Sequence, residues 1–252
     1  MGGSVSLTLS EIYFILPSYY YKKHMDEKNF QKIKDVAEKE IGNTPDAAHD
    51  MSHVMRVYNL ALSMAKHESD VDMDVLQAAI LLHDIGGHKE MNDPSGKTDH
   101  AIESAKMAEP ILKNLDFTAK QIKHIQDCII SHRYKTENKP ETIEAKILFD
   151  ADKLDSIGAI GVARQFCWVG KNNANIYKKV DIAEYIKENM HGKINGRIKD
   201  KTKHSPQIEF AVKSKFLIGK LFTETAKEIC RERILFLENF LNRMEREING
   251  KL

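Results

Sequence analysis

Apolar residues recur along this chain at helical spacing, and no segment of useful length alternates at strand spacing. Ile122, Ile125 and Ile129 follow one another at intervals of three and four. Leu237, Leu241, Met244 and Ile248 do the same near the C-terminus and predict one apolar face of a terminal helix. Capping residues and stop signals divide the pattern into elements. Asp26 starts a helix that runs to Ile41 and stops at Gly42. Pro45 and Asp46 open a second over about 48–67. Asp72 caps a third over about 75–85, closed by Gly86 and Gly87. Residues 88–99 read as a loop by composition. Asp99 caps a fourth helix over about 100–115, and Thr118 starts a fifth. Pro140 and Glu141 open a sixth, with Ala145, Leu148 and Asp152 on adjoining turns. From Phe210 onward the pattern is helical again. The expectation is an all-α fold without internal repeats.

Composition narrows the class. The chain has 252 residues, 42% hydrophobic and 30% charged, enough for one sizeable core and unlike a disordered segment. Residues 5–21 form the most apolar early stretch, but Glu11 and Pro17 interrupt it, and it is too short to span a bilayer. No Lys or Arg precedes it and no small-residue cleavage site follows, so it is a poor signal peptide. Residues 1–24 therefore read as an N-terminal extension, or as a docking arm, ahead of one domain over 25–252. A formal net charge of +1 gives no global attraction to nucleic acid or to an anionic membrane, and neither is expected as a partner. Cys128, Cys167 and Cys230 lie far apart and form no CxxC pair, which fits a reducing cytoplasm. Residues 171–205 depart from the average. They hold nine Lys or Arg against four Asp or Glu, an excess of five positive charges. This segment is a solvated insertion, or a basic flap over a phosphate-bearing ligand.

The candidate chemistry lies in a few inward-facing polar residues. His53 sits in the run HDMSHVMRV. His83 and Asp84 end the apolar run AAILLHDIGG. His132 follows the apolar face of the fifth helix, three residues after Ile129, and Asp152 lies in ILFDADKLDSIG. A buried charge is costly unless paired or metal-bound. One such histidine is readily a packed core residue; the set on several helices points to a metal. Imidazole and carboxylate ligands suit Mn, Fe, Co, Ni, Zn or Mg, and residue type alone does not choose among them.

The order His, His-Asp, Asp resembles the signature of the HD-domain metal-dependent phosphohydrolases. HVMRV looks like that family's first-histidine helix, LLHDIG like its central motif, and DADKLD like its last aspartate motif. The runs HAIESAK, IISHR, EAKILFDADKLDSIGAIGVAR and TETAKEICRER extend the resemblance to a subgroup of bacterial and archaeal HD-type nucleotide pyrophosphohydrolases, over roughly residues 28–248. The resemblance implies a compact multi-helix HD fold with a C-terminal helical extension. It implies that His53, His83, Asp84 and Asp152 hold one divalent metal. It leaves Asp150 and Asp155 as supporting or capping groups. His100 and His132 then hold a second metal, or contact phosphate, or transfer a proton. Two positions depart from the pattern. Ile85-Gly86-Gly87-His88 stands where relatives acting on guanosine polyphosphates carry an acidic pair, and Glu209-Phe210 stands where the subgroup often has His-Phe.

The implied reaction is attack of a metal-bound water on phosphorus in a nucleotide or small phosphate ester, and the favoured version releases pyrophosphate from a nucleoside triphosphate. Arg56, Lys153 and Arg164 are the candidate phosphate contacts, with Arg133 more simply a surface charge. Asp84, His100, His132 and Lys153 are the candidate catalytic groups. His49, one turn before His53, is a candidate partner for it. A phosphomonoesterase or cyclic-nucleotide phosphodiesterase is the enzymatic alternative; a metal-containing nucleotide sensor is the alternative of another class. The apolar terminal helix and the aromatic run 12–21 could support a homodimer.

Overall fold

A computed structural model of the chain describes residues 25–42, 50–133, 138–194 and 196–251. The extension 1–24, the helix opening at Pro45 and Asp46, and His49 lie outside the described residues. Among the described residues the regular elements are all helices: α1 Glu27–Ile41, α2 Met51–Ala65, α3 Met73–Leu82, α4 Gly87–Met91, α5 His100–Lys113, α6 Ala119–Ser131, α7 Ile143–Leu154, α8 Gly158–Lys171, α9 Ile182–Asn189, α10 Pro206–Val212 and α11 Glu224–Ile248. Short 3₁₀ turns occupy Lys201–Lys203 and Ser214–Lys220. No described helix is long and apolar enough to cross a membrane.

The apolar run of α3 makes it the hub. A helix hydrophobic on all sides belongs inside a domain, and Leu76, Ile80, Leu81 and Leu82 are fully buried. It packs on α1, α2, α5, α6 and α7. Burying each such side chain stabilises the fold by ~1.5–3 kcal/mol. Gln77 is the buried polar residue of this helix, and it is satisfied. Its amide donates to the Tyr58 hydroxyl (2.9 Å) and accepts from the Met25 backbone nitrogen (2.8 Å), pinning the start of the domain to its centre.

Side-chain caps set most helix starts. Asp26, Asp50, Asp72, Asp99, Thr118, Thr142, Asp181, Ser205 and Thr223 each accept from a backbone N–H in the first turn that follows. Several bounds differ from the expected ones: α2 starts at Met51 and α3 at Met73 rather than at about 48 and 75. The sixth helix opens at Thr142, two residues after Pro140. The third ends at Leu82, so His83 and Asp84 lie on the turn beyond it, and α4 occupies the beginning of what composition marks as loop. Five residues are too few to show a helical period.

Gly86 lets that turn approach α5. A Cβ there would lie 2.7 Å from the Ser104 backbone nitrogen and 2.8 Å from the His100 carbonyl oxygen. The Gly86 N–H donates to the Ser104 hydroxyl (2.8 Å). The contact places the first turn of α5 beside Asp84.

The C-terminal half packs across this bundle. Buried Asp150 of α7 accepts from the backbone nitrogens of Phe222 and Thr223 and from the Thr223 hydroxyl, anchoring the start of α11. Gly158 opens α8 at φ +75°, with the Arg233 side chain against its open face. Along α11, Leu237 and Leu241 are buried, whereas Ile248 is 51% exposed, so the expected apolar face ends before the helix does. The basic segment forms α9 and joins α10 in a small apolar cluster of its own, built on Tyr185, Met190, Ile208 and Val212.

Candidate metal centre

Five helices bring six ligand-type side chains to one place. His53 comes from the first turn of α2, which Asp50 caps; His83 and Asp84 from the end of α3; His100 from the first turn of α5; His132 from the end of α6; and Asp152 from α7. Asp84 lies between the others. Its Oδ2 is 3.5 Å from His83 Nε2 and 3.7 Å from His53 Nε2, and its Oδ1 is 3.5 Å from His100 Nε2 and 3.6 Å from His132 Nε2. Asp152 Oδ1 is 3.4 Å from His53 Nε2. Ligand atoms of His53, His83 and Asp152 all lie within 4.8 Å of one another, as do those of His83, Asp84 and His132.

All four rings are held by Nδ1 and turned so that Nε2 faces the carboxylates. His83 Nδ1 meets the Ile80 carbonyl at 2.7 Å, and His132 Nδ1 meets the Ile129 carbonyl at 2.5 Å. A carbonyl can only accept, so both Nδ1 atoms carry the proton and both Nε2 atoms present a lone pair. His53 Nδ1 pairs with Asp155 (2.8 Å) and His100 Nδ1 with Glu90 (2.5 Å). Ring anchoring of this kind is how metal-binding histidines are oriented. His83 Nε2 is buried and has no hydrogen-bond partner among the described residues. His100 Nε2 and His132 Nε2 stand 3.3 Å apart, a spacing that calls for a shared proton or a cation between them. These features fit a divalent cation. His53, His83, Asp152 and one Asp84 oxygen suit one position; the other Asp84 oxygen, His100 and His132 suit a second.

The electrostatics agree. Burial would raise the carboxyls of Asp84 and Asp152. The facing histidines, together with Lys153 beside Asp152, outweigh it and hold both well below the usual carboxylate range. Burial pushes His83 down to about 4, which keeps the ring neutral. Burial acts against His53 too, but Asp152, Asp155 and Asp84 lift it to about 9, so a cation arriving there displaces a proton.

The two arginines expected at phosphate converge on Asp155. Arg56 reaches it through Nε (2.8 Å) and Nη2 (3.0 Å) and gives Nη1 to Ser52; Arg164 Nη1 reaches it at 2.5 Å. Asp155, held down to about 2, thereby fixes His53 and both guanidinium groups. Lys153 Nζ sits 2.6 Å from Asp152 Oδ2. Sequence reading did not single out Glu90, which accepts from the His100 backbone nitrogen (2.9 Å) and from Arg133 through two bonds (3.0 and 2.7 Å). No local pattern marks it, because its partners lie 10 and 43 residues away.

Above the cluster is a cavity of about 550 Å³. Asp84, His100, His132 and Asp152 line it together with six cationic residues, Arg133, Lys153, Arg164, Arg197, Lys201 and Lys213. Arg197 and Lys201 come from the basic segment. Arg56 is not among the lining residues described.

Residues 51–157 match the family model described as HD domain, and they contain all six converging side chains, from His53 through Asp152. A protein of Bacillus subtilis, YpgQ, is 26% identical over 204 residues, covering 81% of this chain and 86% of its own. The 3′-5′ exoribonuclease YhaM of Bacillus licheniformis is 33% identical over 120 residues, 41% of this chain and 37% of its own. The crystal structure of YpgQ in complex with ADP superposes with a TM-score of 0.62 at 23% identity, covering 88% of this chain and 96% of that one. A predicted HD superfamily hydrolase from an uncultured Thermotogales bacterium gives 0.58 at 24% identity, covering 96% and 99%. At these identities the structural matches show a shared fold.

Proposed function

We propose that the protein is a metal-dependent phosphohydrolase acting on a nucleotide, and that its reaction releases pyrophosphate from a nucleoside triphosphate. The observation that carries this reading is the set of anchored imidazoles facing two carboxylates at the floor of a cation-lined cavity. His53, His83, Asp84 and Asp152 would hold a divalent ion, which when bound acidifies a water and polarises a phosphoryl oxygen. Lys153, Arg197, Lys201 and Lys213 receive the phosphate charge, which strengthens as the transition state forms. Asp84 keeps its oxygens ionised and directs the attacking water. His100, held by Glu90 on one side and open to the cavity on the other, delivers a proton to the departing oxygen. Supporting the nucleotide is the YpgQ complex with ADP, a protein of the same fold and of similar length.

The test is a hydrolysis screen of metal-loaded protein beside Asp84→Ala. It covers nucleoside mono- and triphosphates, cyclic nucleotides and a short single-stranded RNA, each with Mn, Co, Ni and Mg. Phosphate and pyrophosphate are measured separately. Pyrophosphate from triphosphates, lost in the variant, is the expected result. Phosphate alone would make the protein a phosphatase, and mononucleotides from the RNA would make it an exonuclease. Silence with metal confirmed bound would leave a nucleotide-binding module.

A further inference from the structure

A second cavity of about 330 Å³ opens beside the first and runs between α8 and α10, away from Asp84 and Asp152. The two share Ser156, Arg164, Trp168, Ile198, Glu209 and Lys213, so they are continuous. Their chemistry differs. Arg133, Lys153, Arg197 and Lys201 line only the first. The second is bounded by the indole of Trp168, the apolar side chains of Val169 and Ile198, and a few polar groups.

Two of those polar groups, Gln165 and Glu209, offer acceptor oxygens beside the cations Arg164 and Lys213. Gln165 Oε1 is shielded from solvent and has no hydrogen-bond partner among the described residues, so an occupant bearing an N–H would relieve it. Glu209 lies at the junction of the cavities. Its Oε2 is 3.1 Å from His204 Nε2 and its Oε1 is 2.9 Å from Lys213 Nζ. Burial would raise this carboxyl, but Lys213 and His204 outweigh it and bring it down to about 2. An ionised carboxylate has about four acceptor sites, so two remain for a ligand. His204 is in turn fixed by the Tyr185 hydroxyl (2.8 Å), which accepts from the Asn189 amide (2.8 Å). Glu209 is therefore a rigid acceptor.

We propose that this second cavity receives the nucleobase, with Trp168 as its stacking surface and Gln165 and Glu209 as acceptors for its N–H groups, while the phosphates lie over Asp84 and Asp152. This rests on the reading of the site as one for nucleotides. A flat aromatic wall flanked by fixed acceptors suits a planar heterocycle carrying amino or imino donors. The cation-lined cavity beside it suits the polyphosphate. Base stacking on an aromatic side chain strengthens binding by on the order of tenfold or more.

Trp168 is the chain's single tryptophan, so the full-length protein reports on this cavity without labelling. The experiment titrates Mg-loaded protein with the four common ribonucleoside diphosphates and with inorganic tripolyphosphate, following tryptophan emission and, in parallel, heat. At least one diphosphate is expected to change the emission saturably. Tripolyphosphate, having no base, should bind and compete while leaving emission unchanged. Gln165→Ala should weaken the nucleotide about tenfold and tripolyphosphate not at all, and Trp168→Phe should keep nucleotide affinity that Trp168→Leu loses. Nucleotide binding that leaves Trp168 emission unchanged, or equal weakening of both ligands in Gln165→Ala, would overturn the proposal. The two readings fail separately. Hydrolysis without a Trp168 response removes the base cavity alone, whereas a Trp168 response without hydrolysis removes the reaction alone. If no nucleotide binds, both fall.

Discussion

Glu90 grips His100 at two points: its Oε2 lies 2.5 Å from the ring Nδ1 and 2.9 Å from the backbone nitrogen of the same residue. Arg133 holds the far side of Glu90 and also reaches Asp99, the cap of α5, at 2.7 Å. One carboxylate thus ties α4, the start of α5 and the end of α6 around a ring whose other nitrogen faces Asp84. Removing such an anchor from a ligand or proton-transfer histidine typically costs 10–100-fold. Glu90→Ala should therefore lower kcat/KM by about that factor, and Glu90→Gln by less. The ion pairs involved are partly exposed, so melting should fall by only about 1 kcal/mol equivalent. Kinetics and thermal melts of the two variants decide; a loss of activity that tracks loss of fold would show that Glu90 is merely structural.

Because the candidate ligands come from separate helices, a bound ion ties those helices together. An ion that binds only the folded chain stabilises it by about 2.7 kcal/mol at a hundredfold excess over Kd. For a domain of this size that is a melting shift of about 5–10 °C. Chelator should lower the melting temperature of the wild type by that order and of His83→Ala far less. Equal shifts in both would contradict the ligand assignment.

Asp155 supplies a pH dependence with a definite sign. Its carboxyl falls to about 2 in the fold because, against the cost of burial, His53, Arg56 and Arg164 favour the anion. A depressed carboxyl stabilises the fold above its unfolded value near 3.9, and that stability is lost as pH falls through about 2. The shift corresponds to on the order of 2 kcal/mol, for a side chain only 4% exposed. Asp155→Asn should lower stability at pH 7 by about that amount and flatten the acid limb between pH 5 and 2. Denaturant melts across that range would test it, and parallel acid limbs in both proteins would refute it.

The three thiols should separate by reactivity. Burial raises Cys128 to about 12 and Cys230 to about 11, whereas Cys167 is exposed on α8. The thiolate is the reactive form. A thiol reagent added to native protein should modify Cys167 first, and the other two only as the chain unfolds. Mass analysis of the modified peptides identifies the order; labelling of Cys128 before unfolding would refute it.

Much of the fold was legible in the order of residues. Caps such as Asp72, Asp99 and Thr118, and the spacing of Ile122, Ile125 and Ile129, act over three or four residues, and the helices begin and run where those signals stand. Where the helix was too short for its period to repeat, as in Gly87–Met91, it was missed. The extent of apolar packing on α11 was overstated at Ile248, because spacing shows which face is apolar but not how far the neighbouring helix reaches.

The features legible along the chain are local: an all-α pattern, and a short set of histidines and aspartates placed on apolar stripes where an unpaired charge would not be tolerated. Which of these groups meet follows from how the helices cross. His53 and Asp155 are 102 residues apart and 2.8 Å from each other, and Arg56 joins them across 99. No spacing rule spans such separations. The sequence likewise marked 171–205 as basic, but the packing of α9 and α10 brought Arg197 and Lys201 to the cavity and set Glu209 beside Trp168. Helix formation is governed by neighbours along the chain, whereas a site is governed by the crossing of helices, and those crossings follow from how the side chains of the whole core fill space together.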